Sequence, residues 1–269
     1  MDPGIPDVPA SPREVDGAGP SWDRPIALPP WSSVQERIAA SGKRVYSISF
    51  TLRSGSTLLC DDLISAGLGH PAEHFQFPVF PVLVGTLAEH LALMAETWDT
   101  DFLGLKINWY QMTQVITRLQ TEGYAASVGF DLRDVFPDIQ FLHILRKDKI
   151  SQAVSAWRAQ ESGTWHIPAG AGDDPGRPPY DFTAIRDLLQ RIALDEWLWR
   201  DHFERMGVAP LTIVYEDYVA DRTGHLERIA DYLGAPRPTA PVGDRLQVMR
   251  DDWSNGIIER FRSDIQRPH

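Results

Sequence analysis

The chain is predicted to fold as an α/β protein, a mostly parallel sheet flanked by helices, and three observations predict it. Four short apolar runs lack the clean in/out alternation of a half-solvated sheet, which suits strands covered on both faces. Helical periodicity fills the intervals between those runs, the pattern of strand–helix–strand units. The first run passes into a loop of small polar residues and then a helix, and such sheets bind ligands beyond the carboxyl ends of their strands.

The elements follow in order. The first strand is predicted over Val45–Phe50, then the loop Arg53-Ser-Gly-Ser-Thr57, then a helix over Thr57–Ala66. Ser54, Gly55, Ser56 and Thr57 can turn backbone N–H groups and hydroxyls into one concavity, and Arg53 sets a permanent cation beside it. Unsatisfied N–H groups and the helix dipole both favour an anion there, so a phosphate-like group is the expected ligand. The bland alternative is an ordinary Gly/Ser turn. The nucleotide-hydrolase loop, G-x-x-x-x-G-K-[ST], is absent; Gly42-Lys43 precedes the strand instead of following it. Further helices are predicted over Pro81–Thr97 and Gln111–Glu122, on either side of a second strand at Phe102–Ile107.

A third strand, Ile139–Leu145, leads into a helix over Lys149–Ser162, with Asp148 as its N-cap. Ile150, Ala153, Val154 and Trp157 make the apolar stripe of that helix, while Ser151, Ser155 and Arg158 share another face. Arg146 emerges at the strand's carboxyl end. With those hydroxyls it is a candidate second phosphate site through charge-assisted hydrogen bonds; a solvated face with incidental serines is the alternative. A long helix over Phe182–Met206, a fourth strand at Leu211–Tyr215 and a helix over His225–Leu233, stopped by Gly234, complete the pattern.

Composition bounds the function. The 269 residues suit one domain (31–269) preceded by a Pro/Gly-rich flexible arm (1–30). A net charge of −11 argues against a general nucleic-acid or membrane-surface binder, though not against a local basic pocket. The single cysteine, Cys60, excludes internal disulfides and fits a reducing compartment; among apolar helix residues it reads as a buried core thiol. No membrane-span or signal-peptide pattern is present, so a cytoplasmic location is expected. A second Pro/Gly-rich patch, Pro168–Pro179, is expected to be a surface loop.

Two phosphate-type sites on adjacent strand ends suit a nucleotide phosphorylated at both ends of its ribose. Arg53-Ser-Gly-Ser-Thr57 resembles the 5′-phosphosulfate loop of sulfotransferases, and Arg146 with a following helical serine resembles their 3′-phosphate site. The chain is most similar to the bacterial trehalose 2-sulfotransferase family, through residues 53–59, Pro71–Gln76, Gly104–Trp109 and Ser151–Arg158, with weaker echoes at Trp197/Trp199 and Val214–Asp217. The resemblance implies a P-loop-like sulfotransferase fold and sulfuryl transfer from 3′-phosphoadenosine 5′-phosphosulfate (PAPS) to a hydroxyl, without a metal. It implies donor binding by Arg53, Ser54, Gly55, Ser56, Thr57, Arg146, Ser151, Ser155 and Tyr215, with Lys106 neutralising the leaving oxygen. Many sulfotransferases place a basic histidine two residues after the strand-end lysine, where this chain has Asn108. The trehalose-type family instead carries a glutamate in Pro-x-Glu-x-Phe, which matches Glu73.

His70-Pro-Ala-Glu-His74 also fits the H-x-x-E-H zinc pattern, but Gly69 and Pro71 oppose the continuous helix which that chemistry requires. His74, Phe75, Gln76, Trp109, Tyr110, Gln111, Trp157 and Trp165 are candidates to line a sugar- or aromatic-binding pocket, although Trp157 and Trp197 sit at spacings typical of core. The expected partner is a small-molecule or glycan hydroxyl acceptor, with no nucleic acid; a homodimer remains open. The stretch Gln247–Asn255 and the short segment between Phe77 and Asp101 depart from the family pattern, so trehalose itself is not assumed. An ATP-dependent phosphotransferase and a non-catalytic nucleotide-binding protein are the alternatives. Against them stand the missing Gly-Lys-Ser/Thr and the joint presence of Arg53, Glu73, Lys106 and Arg146.

Overall fold

Parallel pairing of four strands organises the molecule. The computed structural model describes residues 30–75, 86–97, 100–123, 131–166, 176–239 and 251–267. In chain order these form α1 (Trp31–Ala40), β1 (Arg44–Phe50), α2 (Ser56–Ser65), α3 (Leu87–Thr97), β2 (Phe102–Asn108), α4 (Trp109–Thr121), α5 (Leu132–Val135), β3 (Gln140–Leu145), α6 (Lys149–Ser162), α7 (Phe182–Met206), β4 (Leu211–Val214), α8 (Tyr215–Ala220), α9 (Arg222–Leu233) and α10 (Asp252–Ile265). The sheet order is β2-β1-β3-β4, with the neighbouring strands paired in parallel throughout. From β1 the chain turns outward to β2, then returns to the other side of β1 to lay down β3. The crevice between the carboxyl ends of β1 and β3 is therefore the topological switch point, where open α/β sheets bind ligands.

Both faces of the sheet are covered, as the apolar runs predict. Leu103, Leu105, Ile107 and Phe141 bury against α3, α4 and the Trp199/Phe203 side of α7. Tyr46, Ile48, Phe50, Leu142 and Ile144 bury against α2 and α9. Outside the sheet, Ala153, Val154 and Trp157 of α6 meet Ile185 and Ile192 of α7 and Phe261 of α10.

Several boundaries differ from expectation for local reasons. Helix α4 begins at Trp109 because the Asn108 side chain accepts from Gln111 N–H and the Gln111 side chain answers to Asn108 N–H, a capping box. The Asp221 carboxylate caps Gly224 N–H, so α9 starts at Arg222. Tyr215 opens α8 and does not extend β4. Of the helix predicted over Pro81–Thr97, the described part is α3, with Thr86 and Glu89 forming a reciprocal cap; residues 81–85 lie outside the described residues. So do the arm before residue 30 and most of the second Pro/Gly-rich patch. No described helix is long and apolar enough to cross a membrane.

Candidate active site

The loop after β1 has a strained, closely fitted backbone. Ser54 N–H donates to Thr51 O at 3.2 Å, Arg53 takes a left-handed φ of 58°, and Gly55 caps α2 at φ 94°. No side chain caps this helix, and its first backbone bond runs from Leu59 N–H to Gly55 O. The N–H groups of the first turn before Leu59 consequently have no acceptor within the helix. Ser54 is fully buried and its hydroxyl has no partner among the described residues, an orphaned donor at the floor of the loop. A side chain at Gly55 has no room: a Cβ there would stand 2.2 Å from Cδ2 of Tyr215, whose ring covers the loop.

Two guanidiniums converge on this loop. Arg53 Nε donates to Ser155 Oγ at 3.0 Å, and its Nη1 donates to the Trp165 carbonyl. Arg146 Nη1 donates to Arg53 O at 3.2 Å, with its guanidinium carbon 5.0 Å from the Tyr215 ring centroid. Burial and the neighbouring Arg146 charge lower the pKa of Arg53 from its ordinary value. Two cations pressed together under a helix N-terminus are relieved by an anion.

The expected row on α6 is divided. Ser155 faces Arg53, but Ser151 gives its hydroxyl to Asp148 Oδ2 at 2.5 Å, inside its own N-cap. Arg158 turns away altogether: it is buried, bonded to Ser254 Oγ at 2.9 Å and Asp251 Oδ2 at 3.0 Å, and stacked on Trp253. Its guanidinium ties α6 to α10 and is not part of the anion pocket.

Beside the loop stands a carboxylate–ammonium pair. Residues 71–75 run along the outer edge of β2, where Ala72 bridges to Leu105 and Lys106 N–H donates to Ala72 O at 2.9 Å. Gly104 permits this approach, since a Cβ there would fall 2.7 Å from Pro71 Cβ. Glu73 is thereby aligned with Lys106, Nζ to Oε1 being 2.8 Å. Lys106 Nζ also donates to Thr57 Oγ1 at 3.0 Å and lies 4.9 Å from the Phe50 ring centroid. The second carboxylate oxygen accepts from Gln111 Nε2 at 3.0 Å.

Glu73 opens onto a cavity of about 490 Å³ lined by Leu52, Phe75, Asn108, Tyr110, Gln111, Gln114, Trp165 and His166. His166 gave no sequence signal; burial first, then the Arg53 and Lys106 charges, lower its pKa to about 4, so a neutral imidazole faces the cavity. Trp109 instead sits edge-on to Trp199, 5.3 Å between centroids, and is not among the lining residues. Trp157 is fully buried in the core. His74 is held neutral by burial, its pKa near 4, and the segment joining it to His70 forms no helix, against the zinc geometry. Gln76 lies outside the described residues.

Comparison with known proteins gives the family. The family model for Stf0 sulphotransferase matches residues 82–264. Trehalose 2-sulfotransferase of Mycobacterium tuberculosis is 26% identical over 263 residues, spanning 83% of this chain and 96% of that protein. Its Mycolicibacterium smegmatis counterpart is 26% identical over 265 residues, spanning 82% and 96%. A crystal structure of a sulfotransferase from Alicyclobacillus acidocaldarius superposes with a TM-score of 0.46 at 17% identity, covering 83% of this chain and 93% of that one. With more than half of its residues matched by the family model, the chain belongs to the Stf0 sulfotransferase family.

Proposed function

We propose that the protein transfers a sulfuryl group from PAPS to a hydroxyl of a small metabolite or glycan, by in-line displacement with Glu73 as general base. The observation that carries this reading is the position of Lys106. Its ammonium touches Thr57 in the anion loop and Glu73 at the cavity mouth. One cation thus stands between the group that would hold the donor and the group that would deprotonate the acceptor.

The residues fit the donor. The first-turn N–H groups of α2, the hydroxyls of Ser54, Ser56 and Thr57, and Arg53 would hold the 5′-phosphosulfate. Arg146 and Ser155 would hold the 3′-phosphate, while Tyr215 covers the loop. In the reaction the acceptor O–H gives its proton to Glu73 as its oxygen bonds to sulfur. The bond from sulfur to the phosphate oxygen breaks, and adenosine 3′,5′-bisphosphate leaves with the negative charge that Lys106 and the loop N–H groups stabilise. Trehalose, named for the relatives, is one acceptor to try first, and a cytoplasmic setting suits the buried, unreactive Cys60, whose pKa burial raises to about 12.

Glu73→Gln tests the reading. Calorimetry should give an affinity for adenosine 3′,5′-bisphosphate within about twofold of wild type, while turnover, followed by mass spectrometry of sulfated product, falls roughly 10²–10⁴-fold. Full turnover in the variant removes Glu73 from the base role. Failure of the wild type to bind the bisphosphate removes the donor assignment.

A further inference from the structure

Gln111 is 4% exposed, and both ends of its amide are engaged. Asn108 N–H, which can only donate, lies 3.0 Å from Gln111 Oε1. The amide therefore cannot flip without setting two donors face to face. Its Nε2 must point to the other side, where it meets Glu73 Oε2 at 3.0 Å. A helix-capping motif thus fixes the orientation of a donor aimed at the carboxylate proposed as the base. Lys106 holds the other oxygen, so the carboxylate is clamped from β2 and α4 at once.

Resting on the base assignment above, we propose that Gln111 is a positioning residue for Glu73 and not an acceptor contact. Its amide holds the carboxylate in one rotamer. The groups around Glu73 come from four elements. Lys106 and Gln111 are its direct partners, from β2 and α4. His166, from the segment after α6, feels the Glu73 charge, and so does the Cys60 thiol of α2. Of these only Gln111 combines a fixed orientation with no charge of its own, so it is the group whose replacement changes the local charge balance without removing a cation.

Gln111→Glu is the decisive variant. A glutamate keeps an oxygen for Asn108 N–H, and with it the helix cap, but turns a second carboxyl toward Glu73, so the two must share a proton. The acid limb of the kcat profile should move up by more than about one pH unit, so turnover at a fixed pH below the limb falls about tenfold or more while turnover at pH 7 falls little. Acceptor KM and the affinity for adenosine 3′,5′-bisphosphate should stay within about twofold. Gln111→Met, which loses the cap bond as well, should move the same limb in the same direction by less. An unmoved limb in Gln111→Glu overturns the inference, and a raised acceptor KM with an unmoved limb makes Gln111 a substrate contact. If Glu73→Gln is inactive while that limb stays put, this inference fails alone. If Glu73→Gln is fully active, the base assignment has failed and takes this inference with it.

Discussion

Replacement of Gly55 by alanine probes the anion loop through its tightest contact. Two costs add. The left-handed backbone at φ 94° is one that a Cβ disfavours by about 1–2 kcal/mol. The new methyl would also sit 2.2 Å from Tyr215 Cδ2 and 2.7 Å from Cε2, against an ordinary carbon contact of about 3.5–4 Å, so ring or loop must shift by more than an ångström. Overpacking of that kind costs about 1–3 kcal/mol. The sum, about 2–5 kcal/mol, corresponds to a Tm loss of roughly 4–9 °C for a chain of this size.

The direction of relief matters for function. The Tyr215 ring lies against the Arg146 guanidinium, and α8 is locked through Tyr218, so the loop is the freer partner to move. A moved loop misaims its N–H donors, and losing one hydrogen bond to a charged group weakens affinity for adenosine 3′,5′-bisphosphate by about 10–100-fold. Thermal melts and calorimetry on Gly55→Ala, Tyr215→Ala and the pair measure both effects. In the pair the overlap disappears and only the backbone cost remains, so it should be more stable than the sum of the single changes by about 1–3 kcal/mol. Strict additivity, or wild-type bisphosphate affinity in Gly55→Ala, refutes the reasoning.

Two further outcomes concern stability. Asp62, 1% exposed on α2, accepts from Tyr218 Oη and from Arg222 Nε at 2.9 Å and Nη2 at 2.6 Å, joining the helix behind the loop to α8 and α9. Asp62→Ala leaves a largely buried guanidinium without its carboxylate and should cost about 3–5 kcal/mol in urea unfolding; a cost under 1 kcal/mol would make the cluster incidental. His143 and His202 are buried, and burial lowers the pKa of each from 6.5 to about 4. The unfolded chain therefore binds more protons than the fold between those values. Stability is complete above about pH 6.5 and drains as pH falls toward 4, by up to about 3 kcal/mol for each ring. His143→Gln should flatten that slope in melts taken from pH 7 to pH 4; an unchanged slope assigns the loss to other groups.

Much of the scaffold was legible because it depends on local pattern. Buried parallel strands show as short apolar-rich runs, and all four strands start or end within a residue of where those runs do. Helix α6 shows its own N-cap, Asp148, and α9 its stop, Gly234. Strand-end cations were legible too, since order in the chain fixes which residue follows a strand. What periodicity cannot say is which distant element a helix face will meet. Ser151, Ser155 and Arg158 share a face by spacing, yet α10 claims Arg158 and the cap claims Ser151. Nothing local marks Asp62 on α2, because its partners lie 156 and 160 positions away. Only Gln111 left a usable trace: Asn-x-x-Gln at a strand end is a capping-box spacing, and reading it would have turned that amide inward.

The placement of Glu73 rests on backbone register more than on its own side chain. Ala72 pairs with Leu105 at the free edge of β2, and that pairing is possible because Gly104 offers no side chain where Pro71 approaches. Side chains alternate along a strand, so Leu105 and Ile107 go to the core beneath α3 and α4 while Lys106 goes to the opposite face, over Phe50 and beside Thr57. A slip of one residue in either pairing would send Lys106 into the apolar layer and take Glu73 from its partner. The carboxylate and the anion loop are thus set against each other by two parallel pairings, β1 with β2 and β2 with the segment carrying Glu73. Both are maintained by main-chain bonds that a change of cavity side chains leaves intact, so replacements at Tyr110, Gln114 or His166 should leave Glu73 and Lys106 at their spacing.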